Sequence, residues 1–283
     1  MEHNPNLNTA NLNTIRFLQP VAVQQPDFPL FVFLPGMDGT GRLLHTQISQ
    51  LSQVFEIRCL SIPLNDRSNW NTLTNRAIAL IKAELTSNPE RTVYLCGESF
   101  GGCLALNIAL KAPEIIDRLI LVNPASSYKK QAWLQWGPFL TQSTPEWFYP
   151  TSVLTILPFL ASLGRISLED RQALIQAMKS VPQQTSVWRM ELLQSFSVAP
   201  EQLRLLKKQI LIIAGAADLL LPSVTEAKFL TQSLPQSRLV VLRRSGHACL
   251  LETDIDLLEI LQEENFLDGL LDESTESISA IAS

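Results

Sequence analysis

Charge is scarce in this chain. Of its 283 residues only 17% are Asp, Glu, Lys or Arg, against about 25% in an average globular domain. Basic residues never run beyond two in a row and the net charge is −5, so the electrostatic footprint of a nucleic-acid binder is missing. Long apolar runs are missing too. The longest, Ser152 to Gly164, has 13 residues and contains Pro158, short of the roughly 20 needed to cross a bilayer. The N-terminus, Met1-Glu-His-Asn-Pro-Asn-Leu-Asn, offers neither a basic nor an apolar stretch, and no secretory signal is read there. Cysteine is limited to Cys59, Cys96, Cys103 and Cys249, all in apolar segments without C-x-x-C spacing. Buried free thiols are expected rather than a zinc or disulfide framework. These absences describe an intracellular, soluble chain for which no metal or cofactor is expected. Its 46% hydrophobic content is ample for a large core.

What is present alternates. Apolar strand-like runs at 29–34, 55–60, 92–96, 118–122, 209–213 and 238–242 alternate with helical spacing over 42–53, 71–86, 100–111, 224–233 and 255–263. Strands interleaved with helices of this length imply an α/β fold, a mostly parallel sheet with helices on both faces. The rhythm breaks between 126 and 199. The expected organisation is therefore a core of residues 13–125 and 200–265 carrying a helical cap at 126–199, with a mobile N-terminus at 1–12 and an acidic mobile tail at 266–283. The cap holds Trp133, Trp136 and Trp147, three of five tryptophans, with Trp188 later. They are expected to form an aromatic core of the cap's own, some of them lining an apolar pocket or facing lipid. Lys129-Lys130 beside them reads as a solvated helix end, with weak docking on anionic headgroups as the alternative.

Between the third run and its helix stands Gly97-Glu98-Ser99-Phe100-Gly101-Gly102. A G-x-S-x-G at a strand–turn–helix junction lifts the serine hydroxyl above a sheet, and Gly97 and Gly101 are required because a Cβ there would clash. Ser99 is the candidate nucleophile, and the Phe100 N–H at the helix start is a candidate oxyanion donor. A serine needs a base, and only His3, His45 and His247 exist. His3 lies in the N-terminus and His45 on the first helix, where an exposed or capping role is expected. His247 follows the last strand, at the carboxyl end where ligands of open α/β sheets gather. Asp218, 29 residues earlier in a loop of leucines, gives the order Ser, Asp, His expected of an elbow of this kind. Asp254 and Asp256 read as ordinary helix-start residues, and Glu252 as a weaker alternative.

Pro35-Gly36-Met37-Asp38-Gly39-Thr40-Gly41 follows the first run and runs G-x-x-G-x-G with no Lys-Ser/Thr after it. Neither a dinucleotide fingerprint nor a phosphate loop fits. The Met37 N–H is the candidate second oxyanion donor, and Asp38 either shapes the loop or touches substrate.

The chain resembles an α/β-hydrolase of the esterase/lipase/thioesterase kind, and within it the hydrolase half of the phytyl ester synthase family. The matching stretches are Phe33-Leu-Pro-Gly-Met-Asp-Gly-Thr-Gly41, Cys59-Leu-Ser-Ile-Pro63 with Asp66-Arg67, and Gly97-Glu-Ser-Phe-Gly-Gly-Cys-Leu-Ala-Leu106. Leu121-Val-Asn-Pro-Ala125, Asp218-Leu-Leu-Leu-Pro-Ser223 and Gly246-His-Ala-Cys-Leu-Leu-Glu252 extend them. The resemblance implies a triad of Ser99, Asp218 and His247 and an activity moving fatty acyl groups between lipids and isoprenoid alcohols such as phytol. The two-domain members carry an H-x-x-x-x-D acyltransferase motif, and no histidine of this sequence has Asp five residues on. The expectation is a serine hydrolase of acyl-lipid-like carboxylic esters, or a triad-dependent acyltransferase. Cleavage of C–C or thioester bonds, and a binding protein on the same fold, are the other readings.

Overall fold

The computed structural model describes residues 14–22 and 28–267. The expected mobile ends, 1–12 and the tail from 268 on, lie outside the described residues. Seven strands make one sheet: β1 (Arg16–Leu18), β2 (Leu30–Leu34), β3 (Glu56–Ser61), β4 (Val93–Glu98), β5 (Arg118–Val122), β6 (Gln209–Gly215) and β7 (Ser237–Leu242). Their order is β1-β3-β2-β4-β5-β6-β7. All neighbours are parallel except β1, which runs antiparallel to β3 with Arg16 opposite Ser61 and Leu18 opposite Cys59.

The central strands are continuous apolar runs because both faces are covered. Along β2 the alternation is explicit. Leu30, Val32 and Leu34 face one buried cluster, shared with α2 (Trp70–Glu84), α3 (Phe100–Lys111) and α10 (Ser223–Ser233). Phe31 and Phe33 face a second, with α1 (His45–Leu51) and α11 (Leu257–Glu263). The four cysteines are free and buried. Phe266 and Leu267 are buried against this second face, Phe266 edge-on to Tyr94. The expectation that the tail begins at 266 is thus corrected: these apolar residues complete the sheet cover, and the acidic stretch starts only at Asp268.

Between β5 and β6 the chain forms short 3-10 turns and the helices α4 (Gly137–Ser143), α5 (Tyr149–Ser152), α6 (Leu157–Leu160), α7 (Leu168–Ser180), α8 (Gln183–Ser195) and α9 (Pro200–Leu205). Here the expected aromatic core is not found. Trp133, Trp136 and Trp147 are 48, 64 and 82% exposed. What packs inward is mostly aliphatic: Leu134, Leu192 and Leu193, with Phe196, join the main cluster. Tryptophan content marked the segment as unusual, but composition carries no information on which way a ring points. Lys129 and Lys130 are both exposed at the end of a 3-10 turn, and Lys130 pairs with Glu226 at 3.1 Å. No described helix is long and apolar enough to cross a membrane.

The cap is seated through α8, whose side chains and backbone bond the segments that leave the carboxyl ends of β2 and β3. Thr185 Oγ1 donates to Leu64 O at 2.6 Å, and the Trp188 indole N–H to Ser68 O at 3.1 Å. Trp70 at the start of α2 donates back to Leu192 O at 2.8 Å.

Candidate active site

The turn from β4 into α3 is closed so tightly that glycine is imposed on it. A Cβ on Gly97 would lie 2.3 Å from Gly101 O, and one on Gly101 would lie 2.0 Å from Leu34 O. Squeezed between them, Ser99 takes φ 54°, ψ −112°, a backbone strain of about 1–3 kcal/mol that the surrounding packing holds in place. The result is a hydroxyl raised at the carboxyl edge of the sheet.

His247 meets it there. Its Nε2 is 2.8 Å from Ser99 Oγ and its Nδ1 is 2.7 Å from Asp218 Oδ2. Asp218 is itself fixed: Leu220 and Leu221 N–H donate to Oδ1 at 2.8 and 3.0 Å, and Ser223 Oγ to Oδ2. Because a carboxylate only accepts, the Nδ1 proton belongs to His247, which leaves Nε2 free to accept the serine proton. Burial alone would raise the Asp218 carboxyl, but His247, then Ser223 and the Leu221 N–H, outweigh it and hold it below the usual range. Burial would lower His247, and Asp218 with a smaller push from Glu98 reverses that, so the imidazole sits above its ordinary value.

The other acidic and histidine candidates are engaged elsewhere. Glu252 accepts Gly246 N–H at 2.7 Å and Arg165 Nε at 2.6 Å, steadying the His247 loop without touching the ring. Asp254 binds Arg165, and Asp256 caps α11. His45 pairs with Asp170 of the cap at 2.6 Å. His3 lies outside the described residues.

The loop of residues 35–41 lies across the serine: a Cβ on Gly36 would be 3.8 Å from Ser99 Cβ. Asp38 turns back on the loop, accepting the Thr40 N–H at 2.8 Å and the Thr40 hydroxyl. Burial nevertheless keeps its carboxyl above the ordinary value. Among the described residues, no hydrogen bond is taken up by the N–H of Met37 or of Phe100. No group of three His, Cys, Asp or Glu side chains among the described residues is placed to hold a metal ion.

Three residues of this neighbourhood escaped the sequence reading. Asn123 is fully buried with φ 42°. Its amide donates to Gly246 O and His247 O at 3.1 and 2.7 Å and accepts Gly215 N–H at 2.8 Å, tying together the segments that carry Asp218 and His247. Arg189 descends from α8 onto the 35–41 loop. Glu98 sits beside Ser99, in a motif position where any residue is allowed, and is only 9% exposed.

Glu98 carries a prediction. Burial pushes its carboxyl up to about 7, with His247 pulling it down and Asp38 adding to the rise. Unfolded, it loses its proton near 4.5. Between those values the native state holds a proton that the unfolded state has released, so this group's contribution to stability falls as pH rises through that window. The full shift corresponds to about 3 kcal/mol. The stability gap between Glu98→Gln and wild type, from urea unfolding, should therefore move in favour of Gln by about that amount between pH 4 and pH 8. A gap that does not change with pH would contradict it.

Comparison with known proteins places these features in a group. The model of a family described as alpha/beta hydrolase fold matches residues 29–254. Phytyl ester synthase 1, chloroplastic, of Arabidopsis thaliana is 30% identical over 271 residues, covering 87% of this chain. The chain spans only 38% of that relative's length. A putative carbamate hydrolase RutD of Pseudomonas savastanoi pv. phaseolicola is 26% identical over 235 residues, 80% of this chain and 89% of the relative. Among solved structures, MenH from S. aureus superposes with a TM-score of 0.69 at 19% identity, covering 89% of this chain and 99% of its own.

Proposed function

The chain belongs to the alpha/beta hydrolase family, and on that premise we propose that it is a serine hydrolase of carboxylic esters with sizeable apolar acyl chains. One observation carries the reading: Ser99, His247 and Asp218 form a continuous hydrogen-bonded chain flanked by two unengaged backbone N–H groups, Met37 in the 35–41 loop and Phe100 at the start of α3. Ser99 Oγ attacks the ester carbonyl carbon as its proton passes to His247 Nε2, and the carbonyl electron pair moves onto oxygen. Met37 and Phe100 N–H receive that oxyanion. When the pair returns, the ester C–O bond breaks and the alcohol leaves with the proton from Nε2. Water, deprotonated by the same nitrogen, then attacks the acyl-enzyme and the cycle closes with free acid and Ser99 reprotonated.

Similarity to phytyl ester synthase 1 favours a second reading of the last step, in which an isoprenoid alcohol replaces water. The two readings differ only in product. Wild type and Ser99→Ala incubated with a long-chain acyl lipid, with and without phytol, are compared by mass spectrometry. Free fatty acid from wild type alone supports the hydrolase. Phytyl ester from wild type alone makes the chain an acyltransferase, and equal products from both proteins would refute a role for Ser99.

The proposed base works only when neutral. Because His247 lies above 6.5, kcat/KM is expected to fall on acidification with a midpoint above pH 6.5. In Glu98→Gln that midpoint should move down, since a carboxylate that raises the imidazole has been removed. An unmoved midpoint would show that Glu98 does not act on His247.

A further inference from the structure

Arg189 is 2% exposed, the largest of the fully buried side chains, and none of the ion pairs among the described residues includes it. A buried guanidinium without a carboxylate in contact is costly, and an apolar side chain of similar volume would pack there with less penalty. Its hydrogen bonds run instead to backbone. Nη1 donates to Met37 O at 2.6 Å, and Nη2 to Pro63 O at 3.3 Å. Asp38 and Asp66 lie near enough to offset part of the desolvation, which still leaves the guanidinium below its ordinary value.

The position of those bonds is informative. Gly39 N–H donates to Gly36 O at 3.0 Å. Gly36 O belongs to the same planar peptide as the Met37 N–H, so whatever holds the carbonyl fixes the direction of the N–H on its opposite side. Gly39 itself is boxed in by Arg189: a Cβ there would lie 2.7 Å from Nη1, 2.8 Å from Nη2 and 2.9 Å from Cζ, and its φ is +68°. The guanidinium therefore holds one carbonyl of the turn and flanks the residue that holds the other.

We infer that Arg189 is a positioning residue through which the cap helix α8 sets the direction of the Met37 N–H over Ser99, so that seating the cap completes the oxyanion site. This rests on the serine-hydrolase reading. It goes further in making one cap residue, remote in sequence and without contact to the reacting atoms, a condition for turnover rather than for substrate binding.

The test compares Arg189→Met and Arg189→Lys with Thr185→Val, which removes a different bond between the same helix and the core. Two readouts are taken: kcat and KM on a long-chain p-nitrophenyl ester, and amide hydrogen exchange of the 34–44 segment. Misplacing a catalytic group by about an ångström can cost on the order of 100-fold. Arg189→Met should lower kcat by roughly 10- to 100-fold with little change in KM and no change in the acid midpoint, while exchange in 34–44 accelerates. Arg189→Lys, which keeps a donor, should recover part of kcat, and Thr185→Val should retain it.

Equal losses in Thr185→Val and Arg189→Met would overturn the proposal, showing only a loosened cap. So would a loss confined to KM, or an exchange rate in 34–44 that does not change in either Arg189 variant. Exchange needs no activity, so it decides whether Arg189 orders the loop even if Ser99→Ala kept full rate and the hydrolase reading fell. If Arg189→Met does not fold, Arg189→Lys supplies the same two readouts.

Discussion

Replacing Ser99 with alanine is expected to lower kcat by about a million-fold, the scale set by removing the nucleophile of a serine triad, while stability changes little. The two parts of that expectation come from different features. Ser99 Oγ makes one side-chain hydrogen bond among the described residues, to His247 Nε2, so its removal leaves the imidazole anchored through Nδ1 and Asp218. The strained backbone at φ 54° is set by the glycines packed against Leu34 O and Gly101 O, not by the hydroxyl. Alanine retains the Cβ and accepts the same turn. A rate loss accompanied by unfolding would place the residue's importance in the fold, and a variant with wild-type rate would remove the nucleophile from the account altogether.

Changing Asp218 to asparagine should cost about 10,000-fold in kcat, and the hydrogen bonds show why an isosteric change is so damaging. Leu220 and Leu221 N–H both donate to Oδ1. An asparagine must place its carbonyl oxygen there, because its amide nitrogen cannot accept from them. That puts the NH2 where Oδ2 now faces His247 Nδ1. The imidazole is then forced to accept at Nδ1 and carry its proton on Nε2, the wrong tautomer to take a proton from Ser99. Ser223 must also reverse its bond, which a hydroxyl can do. Steady-state rates on the p-nitrophenyl ester read the effect. A loss below tenfold would mean that Asp218 only packs beside the histidine.

Much of this was legible in the sequence for a physical reason. Gly97 and Gly101 could be read because no other residue fits a turn in which backbone atoms come within 2.0–2.3 Å of a Cβ position. The central strands could be read because burial on both faces demands unbroken apolar runs such as Leu30–Leu34. His247 could be singled out because only three histidines exist, and the structure brings it to Ser99 and Asp218.

Two of the missed residues, Arg189 and Asn123, act through backbone, which sequence patterns do not register, while Glu98 acts by charge from a motif position that any residue can fill. Arg189 bonds carbonyls 152 and 126 residues away, and those carbonyls would be there whatever the side chains. Asn123 likewise reaches main-chain groups on two distant loops. Strand β1 is three residues with no alternation to detect, and it exists because β3 offers an unpaired edge. Trp133, Trp136 and Trp147 are expected in an aromatic core because large aromatics usually bury, yet all three are exposed, as the pocket- or lipid-facing alternative allows, while Trp188 packs against the main cluster beside aliphatic side chains.

The most direct test of the central claim is to catch the acyl group on the enzyme. Wild type is mixed with a long-chain p-nitrophenyl ester, quenched in acid within the first turnover, and its peptides are weighed. One acyl adduct is expected, on the peptide carrying Ser99 and absent from Ser99→Ala. Ester cleavage with no adduct in wild type, or an adduct that persists in Ser99→Ala, would contradict it.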